Sequence, residues 1–403
     1  MERVSWRIGV VAALILVQGC SPQLDRGSSQ APNAPSKPLS ATSADAAPLD
    51  QTATLALLES DHFDELDRHF SALQKAYEKG QLDDVSLRAA FRVFYATDAG
   101  LEPKYDAWVS RFPKSYVARL ARGIYYKKIA LERRGGKYIA ATKPAQIAAM
   151  ESFFAKAAKD LSASIDLSPK PLLSYLHAMD VTAYEGEEDE TRELFEHALQ
   201  VDPGNFIARE KYMGYLEPRW GGSVNQMNDF LNDCRKAGLS AAHLRLLEAI
   251  IVADEAQKYK DEGNYAAAER DYRKAIEMGR DDCSSCLAEV LIQENKFADA
   301  IAVYSKVLQK TPQDAATLVD RAFAYRSIGN IQAAIADWTA AANLGNPYAQ
   351  NQLGVAYMTG QGGIVPLDPK AGIAWFRKAA AQGNATAIQN LARALQLAPD
   401  AAK

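Results

Sequence analysis

Gly263-Asn264-Tyr265-Ala266-Ala267-Ala268-Glu269-Arg270-Asp271-Tyr272-Arg273-Lys274-Ala275-Ile276 decides how the rest of this 403-residue chain reads. Tyr265, Ala268, Tyr272 and Ala275 recur at i, i+3, i+7 and i+10, one face of a helix. Rings alternate there with alanines, so a ring on one helix can fill the notch left by an alanine on its neighbour. The spacing returns as Phe297, Ala300, Tyr304, Val307 and again as Ile331, Ala334, Trp338, Ala341, offset by 32 and then 34 residues. A period of that size marks stacked helical hairpins.

Three units, 249–280, 281–314 and 315–348, resemble tetratricopeptide repeats. The small residue of the first helix is matched by Ala256, Ala288 and Ala322, and the alanine of the second by Ala268, Ala300 and Ala334. The glycine before the second helix survives as Gly263 and Gly329. Asn295 replaces it in the middle unit, and asparagine also tolerates left-handed backbone. After Gly345 the pattern Ala349, Leu353, Gly354, Tyr357, Gly360, Gly362, Asp368, Lys370, Ala371, Trp375, Ala379, Ala380, Gly383 resembles the Sel-like repeat. Gly383-Asn384-Ala385 restarts it 38 residues after Gly345, as a first helix expected to cap the array. The expected class is all-α: a right-handed helical-hairpin solenoid preceded by an all-helical, degenerate repeat-like domain.

That preceding domain, 51–238, is read from Leu55, Leu58, Phe63, Leu66, Phe70, Leu73 and Tyr77, an apolar helical face ending near Gly80. Pro113 is expected to stop one helix and Ser115 to cap the next. The region also resembles an uncharacterised bacterial family filed as a domain of unknown function. The likeness rests on the Trp108–Pro113 turn, Arg119-Leu120-Ala121-Arg122-Gly123, Arg133-Arg134-Gly135, and Pro218-Arg219-Trp220-Gly221-Gly222-Ser223. It implies no activity. Physically, the last motif joins a stiff entry, a large ring and two glycines able to take positive φ. It is either a turn whose tryptophan plugs the domain, or part of a pocket of Arg119, Arg122, Arg219 and Trp220 for an anionic or planar ligand.

At the amino terminus Arg3 and Arg7 precede an apolar run from Ile8 to Val17, which is too short for a permanent membrane span and fits a secretion signal. Leu16-Val17-Gln18-Gly19-Cys20 resembles the lipobox of bacterial lipoproteins, although Gln18 is a less usual residue there. The resemblance implies that residues 1–19 are removed and that Cys20 carries lipid. Ser21, instead of aspartate, favours the outer membrane. Residues 20–50 are rich in proline, serine and alanine, and are expected to form a tether reaching roughly 30 Å. The folded body is divided as 51–238, 239–348 (tetratricopeptide-like) and 349–398 (Sel-like repeat and cap).

Net charge is −4, or −5 without the first nineteen residues, which argues against nucleic acid as partner. No His-Glu-x-x-His, nucleophile elbow or Walker loop occurs, and no cofactor or metal is expected. His62, Glu65 and His69 share a helix face, a spacing far more often solvated than metal-bound. Beyond Cys20 stand Cys234, Cys283 and Cys286. In an oxidising compartment Asp281-Asp282-Cys283-Ser284-Ser285-Cys286 is expected to hold a structural disulfide, with Cys283 pairing to Cys286 or to Cys234. Its i, i+3 spacing at a helix start also admits a thiol-redox role.

The tetratricopeptide resemblance implies a groove lined from the first helices by Ile250, Ala253, Gln257 and Lys260, then Asp282, Ser285, Glu289 and Ile292, then Ala316, Val319, Phe323 and Arg326. Such a partly apolar lining suits a helix or extended segment. The function expected is a lipid-anchored scaffold, facing the periplasm of the bacterial envelope, that binds a protein or peptide and is not an enzyme. It would meet the membrane only through its lipid. The rival is an envelope enzyme or thiol-redox protein, with its site in the amino-terminal helical domain or at Cys283 and Cys286.

Overall fold

The computed structural model describes residues 49–135 and 142–398, so the signal, Cys20 and most of the tether lie outside the described residues. Every regular element among the described residues is helical. They form two compact units, 49–247 and 248–398.

The first unit begins with α1 (Gln51–Glu59), α2 (Phe63–Glu78) and α3 (Asp84–Phe91). Asp50 and Asp83 cap α1 and α3, accepting from Ala53 N and Ser86 N at 2.7 and 2.6 Å. Next come α4 (Glu102–Arg111) and α5 (Tyr116–Arg134), separated at Pro113. Ser115 Oγ caps α5 by accepting from Ala118 N at 3.2 Å, as its sequence position predicts. The unit continues with α6 (Pro144–Ile165), α7 (Leu172–Glu185), α8 (Glu188–Val201), α9 (Phe206–Tyr215) and α10 (Val224–Lys236). Its core is aromatic. Phe70, Phe91, Phe94, Tyr105, Trp108 and Tyr125 are each at most 1% exposed. Gly123 lets α5 and α6 approach closely, since a Cβ there would lie 2.9 Å from Leu161 Cγ.

The second unit is the array read from the sequence. Its hairpins are α11 (Ala241–Asp261) with α12 (Tyr265–Glu277), α13 (Ser284–Gln293) with α14 (Phe297–Lys310), and α15 (Ala315–Ser327) with α16 (Ile331–Asn343). The first of these helices begins at Ala241, ahead of position 248. Then follow α17 (Pro347–Thr359), α18 (Pro369–Ala381) and α19 (Ala385–Leu397). Ala256, Ala268, Ala288, Ala300, Ala322 and Ala334 are all fully buried, while Tyr272, Tyr304 and Trp338 fill the ring slots at 2–3% exposure. Gly263 and Gly329 take φ of +75° and +78°, and Asn295 takes +59° at the matching turn, so asparagine does substitute there.

Residues 347–398 use a glycine to bring two helices close. A Cβ on Gly354 of α17 would come within 2.5 Å of the Phe376 ring of α18. That glycine therefore buys no backbone freedom; it supplies room for a ring.

Since Trp338 and Tyr304 occupy equivalent buried slots, Trp338→Ala and Tyr304→Ala should each lower stability by about 3–5 kcal/mol in denaturant unfolding. Unchanged midpoints would show the repeat register to be misassigned.

Candidate functional site

The first helices of the hairpins, α11, α13, α15 and α17, carry the side chains expected to line a groove. Lys260 of α11 forms an ion pair with Glu289 of α13, bridging two successive first helices. Gln257 donates to Asp261 Oδ1 at 2.8 Å and accepts from the buried Tyr272 hydroxyl at 2.9 Å. On α15, burial beside Glu289 and Asp314 pushes the Asp320 carboxyl up to about 6. Ile292 and Val319 are half-buried and pack against the hairpin cores beneath them. Phe323 is 37% exposed, and the Arg326 guanidinium lies 5.3 Å from its ring and 5.7 Å from that of Trp338. Lysine, two acids, an exposed ring and arginine thus succeed one another along the stack. That array sets apolar and charged side chains side by side.

The arginines expected to form an anion pocket instead answer carboxylates of the chain itself. On α5, Arg122 donates to Asp160 of α6 at 2.6 and 2.8 Å and to Asp106 at 2.9 Å, while Arg119 reaches Asp160 at 3.3 Å. Arg219 pairs with the buried Glu217 beside it. Trp220 is half-buried, edge-on to Tyr184 at 5.1 Å, which favours the plugging turn over the pocket. Only Gly221 of the two glycines takes positive φ, +99°. Gly222 serves differently, because a Cβ there would sit 2.1 Å from the Leu216 carbonyl oxygen.

The expected disulfide is corrected. Cys283 and Cys286 are held as thiols, 1% and 2% exposed, and Cys234 is a buried thiol in the first unit. The core of the second hairpin uses both sulfurs as small apolar side chains, packed with Leu287, Leu291 and Tyr304. The aspartates that precede them are matched by cations, Asp282 by Arg280 at 2.7 Å and Asp281 by Lys310 at 2.5 Å. Of the histidines weighed for a metal, His62 bonds Ser60 Oγ at 2.7 Å, and His69 is buried with its ring edge-on to Phe70 at 5.1 Å.

One cluster escapes the sequence reading altogether. Fully buried Lys127 of α5 reaches Asp180 Oδ2 of α7 at 2.5 Å and His177 Nδ1 at 2.9 Å. Lys211 of α9 binds Asp180 Oδ1 at 2.5 Å, and the Tyr215 hydroxyl donates to the same oxygen. Burial and the nearby Lys127 ammonium lower His177 to about 3, so it is neutral. Asp180 is desolvated as well, yet Lys127 and Lys211 hold it well below the usual carboxylate range. The network locks α5, α7 and α9 together, and its atoms are filled by one another. Its signal in the sequence is an ionisable residue at core spacing, Lys127 between Ile124 and Leu131, with Asp180 set between Met179 and Val181.

Two segments of the family model described as "Domain of unknown function (DUF4034)" match, 52–195 and 185–254, together half of the chain. The chain belongs to the DUF4034 family. A second model, the Sel1 repeat, matches 347–384. No curated protein matches. Among solved structures the chain is similar to the human IFIT1 dimer with PPP-AAAA, at 13% identity over 86% of this chain and 81% of that one, TM-score 0.44. It is similar to yeast Tom70, at 14% identity over 87% and 78%, TM-score 0.40. For a tetratricopeptide repeat protein from Parabacteroides merdae the figures are 16%, 61%, 93% and 0.31. It spans 60% of the chain matched in the APC/C hetero-tetramer Cut9-Hcn1 (14% identity over 83% of this chain, TM-score 0.37). Likenesses this distant carry no function across.

The buried network gives a signed acid response. A histidine at about 3 in the folded state and near 6.5 when unfolded takes up its proton preferentially on unfolding. Stability therefore falls as pH drops from about 6.5 toward 3, by at most about 1.4 kcal/mol per pH unit. Asp180, held low, contributes stability above the unfolded carboxylate range that is lost only at still lower pH. In urea titrations, His177→Gln should flatten the slope between pH 6.5 and 4.5. An unaltered slope would contradict the assignment.

Proposed function

We propose that this DUF4034 protein is a lipid-anchored scaffold, held in the bacterial envelope through Cys20 and binding another protein or peptide along the first helices of its repeats. The observation that carries the binding reading is the exposure of Phe323, capped by Arg326, on a first helix whose alanine, Ala322, is fully buried in the hairpin. A ring left more than a third exposed, on the face that stacked hairpins present to partners, is a docking anchor. The repeat fold supports a scaffold over an enzyme, as does the burial of Cys283 and Cys286, since a reactive thiol needs access. The anchor rests on the order of signal, Gly19 and Cys20 in the sequence. No helix among the described residues is long and apolar enough to cross a membrane.

Two measurements test this. A photoreactive amino acid at Phe323 should trap a partner in intact envelopes, and the same group at Lys306, exposed on the second helix α14, should trap far less. Equal yields at both would remove the groove from the account. A palmitate analogue should label the wild type and not Cys20→Ala; equal labelling would remove the anchor.

A further inference from the structure

Exposed apolar side chains are distributed unevenly along the chain. Of the nine large apolar residues that stand exposed among the described residues, eight fall within 323–397 and only Val85 lies elsewhere. Phe323 is on α15, Tyr348 (40% exposed) opens α17, and Ile388 (51%) is on α19, so each of three successive first helices presents one. Charge is divided at the same place. Residues 248–314 hold fourteen acids against nine bases, net −5, whereas 315–398 hold six bases against three acids, net +3. Two of those acids already have structural tasks. Asp337 takes both arms of Arg321 at 2.8 Å, and Asp368 caps α18 by accepting from Ala371 N at 3.0 Å. Arg326 stands over Phe323, and Arg393 is exposed on α19.

Resting on the scaffold reading above, we propose that the part of the groove formed by α15, α17 and α19 takes an acidic segment bearing large apolar side chains. Charge complementarity selects it. A basic segment would meet a like-charged wall, and a second copy docked through the same face would set Arg326 and Arg393 against their own counterparts. Phe323, Tyr348 and Ile388 seat the apolar side chains, and the arginines face the carboxylates at the rim. Glu289 on α13 and Asp320, the remaining acid at the head of α15, repel such a segment, so binding is confined to the stretch from Phe323 onward and has one polarity. An anionic bilayer would also find bases and apolar side chains here, but a flat surface does not follow the inner wall of a solenoid as an inserted segment does.

The test uses the full chain and a labelled amphipathic twenty-residue peptide of glutamate and leucine, followed by fluorescence anisotropy. The controls are the lysine–leucine counterpart and vesicles of phosphatidylglycerol. The acidic peptide should bind and the basic one should not, with affinity falling as salt rises. Tyr348→Ala and Arg393→Glu should each weaken binding by roughly tenfold, the range of an anchor or a buried-rim charge. Helical circular dichroism of both variants should match the wild type; Arg393 is exposed, so its reversal leaves the hairpin cores intact. Equal binding of both peptides, binding of vesicles alone, or indifference to both substitutions in folded protein would overturn the proposal. A partner trapped at Phe323 that proves basic would overturn it too, while leaving the scaffold reading standing.

Discussion

Everything in the second unit depends on one steric fit, a ring on each second helix set against alanines of the hairpin. Tyr272, Tyr304 and Trp338 are almost fully buried because Ala256, Ala288 and Ala322 leave space at a fixed height on the facing helices. Interiors pack at crystal-like density, so neither partner can grow without displacing the other. The fit sets the distance between helices, and hence how the first helices stand side by side. Lys260 reaches Glu289, and Glu289 is felt by Asp320, only because three first helices succeed one another at that spacing.

The first unit is held by different means. Its aromatic core is interrupted by Lys127, His177, Asp180, Lys211 and Tyr215, a polar lock joining three helices. Breaking such a lock on one side strands a buried charge, at a cost of about 3–5 kcal/mol. Arg122 and Asp160 tie α5 to α6 in the same way nearer the surface. These networks specify a single arrangement of helices that are less regular than the repeats.

Much of this was legible in the sequence, for a physical reason. A repeat states its packing rule several times, so the rings and the second-helix alanines could be placed from spacing, while the first-helix alanines and the left-handed turn at Asn295 followed from the resemblance to tetratricopeptide repeats. The polar lock is stated once, by residues spread from 127 to 215, and spacing carries no sign that they meet. The arginines at 119, 122 and 219 looked available because their partners, Asp160, Asp106 and Glu217, are matched to them only by folding. Cys283 and Cys286 were read through compartment and spacing, whereas the core employs them as small apolar side chains. Gly222 shows the same limit, since its closeness to the Leu216 carbonyl is a tertiary fact.

The central claim, that ring-and-alanine fits couple each hairpin to its neighbours, is open to one direct measurement. Ala288→Leu adds bulk where Ala288 is fully buried, and hydrogen exchange read by mass spectrometry reports the consequence helix by helix. The account predicts that amide protection falls most in α13 and α14, less in α12 and α15, and little in α18 and α19. Unchanged protection, or an equal loss across all helices from 248 to 398, would contradict it.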